Sequence, residues 1–142
     1  MSMRPRLRRA LYFVPALTIA TGIFISSSIS SFGPLEDMPF FKYDKLIHAI
    51  IYGLLALAIL WGIEEGFCKT PRWRSVFLAA LLAGVYGITD EFHQMFVPNR
   101  IACWEDVIAN FTGATVAVLL ARVFLGMRER TRKCGDGLPY VK

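Results

Sequence analysis

The stretch "KLIHAIIYGLLALAILWGI", residues 45–63, decides the fold. After Lys45 it carries no permanently charged side chain, and it is as long as the roughly 20 mainly apolar residues that a helix needs to cross a bilayer. Working outward from it, further runs of the same kind appear. "ALYFVPALTIATGIFISSSIS" occupies residues 10–30, "SVFLAALLAGVYGIT" occupies 75–89 and continues through Phe92, and "DVIANFTGATVAVLLARVFL" occupies 106–125. Hydrophobic residues make up 55% of the chain, and mean hydropathy is +0.46. Soluble domains only approach half apolar and do not bunch those residues into such runs.

The 142 residues suit one domain. We therefore expect residues 1–142 to form a single all-α domain, an integral membrane four-helix bundle with spans at about 10–30, 45–63, 75–92 and 106–125. The first run, preceded by "RPRLRR" and ending in small residues near Ser28 and Ser30, also fits a cleaved signal peptide. Its apolar stretch is long for that role, and Pro15 is tolerated inside a membrane helix, so we expect a retained anchor.

Charge placement sets the orientation. With the N-terminus in the cytoplasm, "RPRLRR", Lys69, Arg72, Arg74, Arg122, "RERTRK" and Lys142 fall inside. Of the 16 basic residues only Lys42, Lys45 and Arg100 fall outside, as the positive-inside rule requires. Glu36, Asp37, Asp44, Asp90, Glu91, Glu105 and Asp106 face out, while Glu64, Glu65, Glu129 and Asp136 face in. Both termini are then cytoplasmic, and the expected location is the cytoplasmic membrane of a bacterium, as a multi-pass protein. The net charge of +5 does not indicate nucleic acid, because the basic residues sit at chain ends and in one short loop rather than along a stripe interleaved with aromatics. Cys68, Cys103 and Cys134 are odd in number and far apart, which suggests neither a disulfide framework nor a metal pair.

With that orientation the unusual polar residues collect at the outer ends of the last three spans. Asp44, His48 and Tyr52 recur every four residues and share one helix face. In "GITDEFHQ", Gly87, Glu91 and Gln94 share a face, with Asp90 beside it. Asp106, Asn110 and Gly113 do the same at the start of the fourth span. Ionisable groups in a membrane segment cost roughly 2.5 to 3.5 kcal/mol at the centre and less towards the interface, so they face the bundle interior and pair. These faces predict a shared polar pocket. Arg100 follows Pro98-Asn99, a turn signal, and could close the set or clamp a phosphate.

Simpler roles compete for several of these residues. Asp44 and Asp106 could be helix N-caps, Asn110 could be interhelical glue, Lys45 could snorkel to the headgroups, and Tyr52 could be a packed aromatic. Asp90 and Glu91, adjacent acids close to His93, have no packing rationale. Ala80 with Gly84, and Gly113 with Ala117 and Ala121, form small-residue stripes that let helices approach. Trp61, Trp73 and Trp104 fall where interfacial aromatic belts belong.

Taken in order, "DKLIHAIIYGLLA", "GITDEFHQMFVPNR" and "DVIANFTGA" resemble the VanZ-like family of small membrane proteins over residues 44 to about 120. The matching residues are Asp44, Lys45, His48, Tyr52, Asp90, Glu91, Gln94, Arg100, Asp106 and Asn110. The family pattern often has glycine where Asn99 stands, and serine or threonine near the position of Cys103 and Trp104. The resemblance implies a membrane compartment and a phenotype class, since the family is named for a protein that confers resistance to teicoplanin. It does not imply a reaction.

Two functions follow as expectations. One is a pocket that binds a lipid headgroup, a lipid-linked cell-wall precursor or a lipoglycopeptide, with Lys45 and Arg100 holding an anionic group and the carboxylates orienting amines or hydroxyls. The other is a membrane-embedded hydrolase or transferase acting on a lipid-linked phosphate. There His48 or His93 would be the base, Glu91 or Asp90 the acid, and Arg100 the charge stabiliser. A metal-dependent variant of the enzyme would use His48, His93 and carboxylates, a donor set that could suit zinc, but two histidines on different spans give no metal-ligand spacing and no cofactor fingerprint is present, so neither metal nor cofactor is expected. A transporter fits poorly, because the charge sits at one end of the spans.

Overall fold

The computed structural model describes residues 5–30, 44–100 and 102–135. Arg4, Glu36, Asp37, Lys42, Asp136 and Lys142 lie outside the described residues, as do the side chains of Arg6, Lys133 and Cys134. The described residues form helices and connecting turns only: α1 (Pro5–Leu11), α2 (Val14–Ser27), α3 (Asp44–Ile63), α4 (Trp73–Gln94) and α5 (Trp104–Gly135).

The run expected as one first span is broken in two. Pro15 has no N–H to give the Leu11 carbonyl, and in an unbroken helix its ring would press on that same carbonyl. The N–H groups of Tyr12 and Phe13 instead reach Arg9 and Ala10 at 3.2 and 3.0 Å, one residue short of helical spacing. The ladder resumes when Leu17 N–H donates to Phe13 at 3.0 Å. With 14 residues, α2 is only about 21 Å long at the helical rise. Helices α3, α4 and the Trp104–Arg132 part of α5 are long and apolar enough to cross a membrane. Their outward surfaces agree: Phe77 is 69% exposed, Leu120 63% and Phe124 63%, a degree of apolar exposure that water would penalise and lipid would not.

The last helix starts before its expected boundary. It begins at Trp104, so Asp106 is its third residue and not its N-cap; Asp106 N–H donates to the Cys103 carbonyl at 3.0 Å. It also continues well past Leu125, because Met, Arg, Glu and Lys are strong helix formers and carry it through "RERTRK" to Gly135.

Helices α3 and α5 run parallel, with α4 antiparallel to both, and the core is the strip of Leu55, Ala56, Leu60, Val76, Ala79, Ala83, Ala114 and Val118 between them. The α3–α5 seam is the tightest. A Cβ placed on Gly53 would sit 3.2 Å from both the Ala117 Cβ and the Gly113 carbonyl oxygen, and one on Gly113 would collide with the Ala49 backbone. Small residues four apart on each helix allow this approach. Helix α2 lies against α3 and α4, tied to α4 by Tyr86, whose hydroxyl donates to the Ala20 carbonyl at 2.7 Å.

At the end where α3 stops and α4 starts, polar groups pair locally. Arg9 meets Glu65 at 2.9 Å. The Thr70 hydroxyl donates to Glu129 at 2.7 Å, and Arg72 N–H to Glu64 at 3.1 Å. Arg122 donates to the Pro71 carbonyl and lies over the Trp73 ring at 4.1 Å. The described acids of this end, Glu64, Glu65 and Glu129, thus each have a local partner.

The seam predicts a clear contrast. Gly113→Ala should lower stability by about 1–3 kcal/mol, the usual cost of overpacking, because backbone rather than a flexible side chain blocks the new methyl. Gly22→Ala meets nothing within 4 Å and should leave the unfolding midpoint unchanged or slightly raised. Thermal unfolding of both variants in detergent checks this.

Candidate functional site

The start of α3, the end of α4 and the start of α5 meet at one end of the bundle. Each delivers the polar face that its spacing implies. On α3, Asp44, His48 and Tyr52 descend from the helix start in successive turns. On α4, Asp90, Glu91 and Gln94 are all buried, at 6%, 5% and 7% exposure. On α5, Asp106 and Asn110 are buried, Asn110 completely. Gly87 makes room for this: a Cβ there would lie 3.0 Å from the Asn110 side chain and 3.2 Å from the Tyr52 ring.

Three networks result. In the deepest, the Tyr52 hydroxyl donates to Asp90 Oδ2 at 2.9 Å, and the Gln94 amide donates to the same oxygen at 3.1 Å. In the middle one, His48 Nδ1 lies 3.1 Å from Asn110 Oδ1 and 3.8 Å from Glu91 Oε1. Glu91 Oε2 accepts the Cys103 N–H at 3.2 Å, which ties the loop before α5 to α4. At the rim, Lys45 Nζ reaches Glu105 at 3.0 Å and Asp106 at 3.4 Å, and the Cys103 thiol donates to Glu105 at 3.3 Å. Asp90 Oδ1, Glu91 Oε1 and Asn110 Nδ2 are buried with no hydrogen-bond partner among the described residues. Buried polar atoms are nearly always paired, so such a group at a site marks a place for a ligand, an ion or water.

A cavity of about 300 Å³ opens beside these networks, between α2, α3 and α4. Asp44, His48, Tyr52, Asp90, Gln94 and Arg100 give it polar groups, and Ile23, Ile47 and Ile51 give it apolar walls. Lys45, Glu91, Asp106 and Asn110 lie on the α5 side of His48, which belongs to both groups. Arg100 follows a turn in which its own N–H donates to Val97 at 3.2 Å. Asn99 in that turn has φ of 62°, a left-handed conformation that glycine and asparagine adopt most easily. Arg100 also holds the neighbouring backbone in place. Its Nε donates to the Ile29 carbonyl at 3.1 Å and its Nη2 to that of Ser26 at 3.3 Å, capping the end of α2.

His93 is not brought into the cluster. It shares a hydrogen bond with Ser28 Oγ at 3.1 Å and packs on Phe24 at 4.8 Å between ring centroids, so it fastens α4 to α2. Sequence reasoning missed Ser26 and Ser27, which line the cavity, and Glu105, which holds Lys45. The serines bunched at the end of the first apolar run, Ser26, Ser27, Ser28 and Ser30, were a usable signal for the first two. For Glu105 the only sequence cue was its position next to Asp106.

Fold and site together define an all-α, membrane-type helical protein with a polar cluster at one end of its bundle. The VanZ/LLP1 family model matches residues 4–125, and the chain belongs to that family. It is also similar to an uncharacterized protein of Schizosaccharomyces pombe, at 31% identity over 105 residues, 73% of this chain and 60% of the relative. The chain thus spans less than two thirds of that protein's length. No solved structure matches it.

The deepest network yields a stability prediction. Tyr52→Phe removes a buried donor and leaves Asp90 with Gln94 alone, which should cost about 1–3 kcal/mol. Tyr86→Phe, whose hydroxyl is only half-buried on Ala20, should cost less. Unfolding midpoints in detergent compare the two.

Proposed function

We propose that this chain is a multi-pass membrane protein whose polar cluster lies on the extracytoplasmic side and binds the headgroup of a membrane lipid. The observation that carries this reading is the cavity of about 300 Å³, which combines isoleucine walls with Asp44, Asp90, His48 and Arg100. Small-ligand sites are mostly apolar with a few convergent polar groups, and this volume is at the lower bound of their usual size. Arg100 suits a phosphate, and Asp44 and Asp90 suit an ammonium or sugar hydroxyls. A zwitterionic phospholipid headgroup offers both. A lipid-linked cell-wall precursor or a lipoglycopeptide presents related chemistry, and sequestering either would give glycopeptide resistance of the teicoplanin type. The fungal relative favours the general headgroup, because phospholipids are common to all cells.

The orientation rests on the charge asymmetry, with "RPRLRR" and "RERTRK" at the cytoplasmic end. Cys68 and Cys103 sit at opposite ends of α4, which is about 33 Å long by its rise. In single-cysteine variants, a membrane-impermeant maleimide added to intact cells should label Cys103, and should label Cys68 only after permeabilisation. The reverse pattern would overturn the orientation.

A second reading is favoured by one contact, the buried Glu91 carboxylate 3.8 Å from His48, which is the arrangement of an acid–base pair acting on a lipid-linked phosphate. Untargeted mass spectrometry of envelope lipids separates the two. Cells overproducing wild-type protein, Glu91→Gln, or none would be compared, and lipids copurifying with the protein would be identified. Binding predicts a copurifying lipid, partially lost in Glu91→Gln, with no covalent change in the envelope. A lipid product that appears with wild type and vanishes with Glu91→Gln would replace binding by catalysis.

A further inference from the structure

We infer that Asp44, His48 and Asp106 form a binding site for a divalent transition-metal cation of the zinc type at the rim of the bundle. One ligand atom from each of the three side chains lies within 4.8 Å of the others. Zinc holds imidazole nitrogen and carboxylate oxygen at about 2.0–2.2 Å, so tetrahedral ligand atoms sit about 3.4 Å apart. His48 Nε2 and Asp44 Oδ1 are already 3.8 Å apart. Asp44 is exposed, its side chain 57% accessible, so it has room to turn toward the metal position, and Asp106 turns to it from the other side. Three protein ligands leave a fourth position open.

The placement of the histidine supports this. His48 Nδ1 rests against the Asn110 side-chain amide at 3.1 Å, which fixes the ring with its other nitrogen, Nε2, turned toward the Asp44 carboxylate at 3.8 Å. Metal-bound histidines ordinarily donate their other ring N–H to an oxygen in this way. Behind the ring, Glu91 Oε1 is buried with no hydrogen-bond partner among the described residues and lies 3.8 Å from His48 Nδ1, a carboxylate on the far side of the imidazole of the kind that backs metal-bound histidines. Among the described residues, the carboxylates of Asp44, Glu91, Glu105 and Asp106 gather around a single lysine, Lys45. Imidazole nitrogen selects against magnesium and calcium. Lys45 now occupies part of the charge, on Asp106 at 3.4 Å and Glu105 at 3.0 Å. It can stay on Glu105 while Asp106 turns to the metal.

The metal site stands on this cluster and not on the headgroup reading, and the two fail separately. Zinc binding is measured in detergent with no lipid added, whereas headgroup binding is measured with no metal. The experiment is calorimetric titration of Zn²⁺ into the full-length chain with Cys68, Cys103 and Cys134 replaced by Ser, so that thiols cannot take the metal. One saturable site is expected. Asp106→Asn and His48→Gln should weaken it about tenfold or more, and His93→Ala should leave it unchanged. Lys45→Gln, which removes a competing cation, should tighten it about threefold. Should the His48 or Asp106 variants not fold, Lys45→Gln decides, because unchanged or weaker binding there overturns the site. The proposal is equally overturned by no saturable binding, by a loss in His93→Ala equal to that in His48→Gln, or by displacement of zinc with excess Mg²⁺.

Discussion

The approach of α3 to α5 at Ala49, Gly53, Gly113 and Ala117 is the constraint on which the rest depends. The two helices run parallel, so one close crossing fixes their register along its length. It sets His48 opposite Asn110 at 3.1 Å and Lys45 opposite Asp106 at 3.4 Å. A larger residue at Gly113 would push the helices apart and stretch both pairs at once. The small-residue stripe is therefore a structural device with a chemical consequence: it brings polar side chains from parallel helices within reach without any loop to hold them.

That closeness has an energetic cost that packing alone does not offset. Asp90, Glu91, Asp106 and Asn110 are buried, and charges removed from water are expensive unless well paired. Part of the pairing is supplied from within, by Tyr52 and Gln94 to Asp90 and by the Cys103 amide to Glu91. It stops short at three buried atoms. A bundle built only for stability would fill this end with leucine, as it does lower down at Leu55 and Leu60. Tension of this kind, confined to one end of one cluster, is where function is expected to reside.

Much of this was legible in the sequence, and the limits have physical causes. Hydropathy located α3, α4 and α5, because a helix in lipid must be apolar along its whole outward surface. The i, i+4 recurrence of Asp44, His48 and Tyr52 gave a correct face, because helical period is a local property. Pro15 was visible, yet its effect was not. A proline inside an apolar run either kinks a helix or ends it, and the outcome depends on whether the preceding N–H groups find nearer carbonyls. His93 misled for a related reason: two residues beyond Glu91, it points about 200° around α4, toward α2 instead of α5. Periodicity gives the face of a helix but not the neighbour that the face meets. The pairing of Glu105 with Lys45, and the meeting of Asp44 and His48 with Asp106, depend on the α3–α5 register, which no single-helix pattern contains.

Lys45 connects the separate chemistries of this end. Held by Glu105 and Asp106, it is an internal counterion that offsets part of the negative charge at the rim. A cation at Asp106 would displace its ammonium toward Glu105. Asp44 lines the cavity and also faces His48 at 3.8 Å, so a headgroup ammonium and a divalent cation would meet at the same carboxylate, and occupancy by one would weaken the pull on the other. Such coupling needs no movement of the backbone, only acidic side chains shared between neighbouring groups.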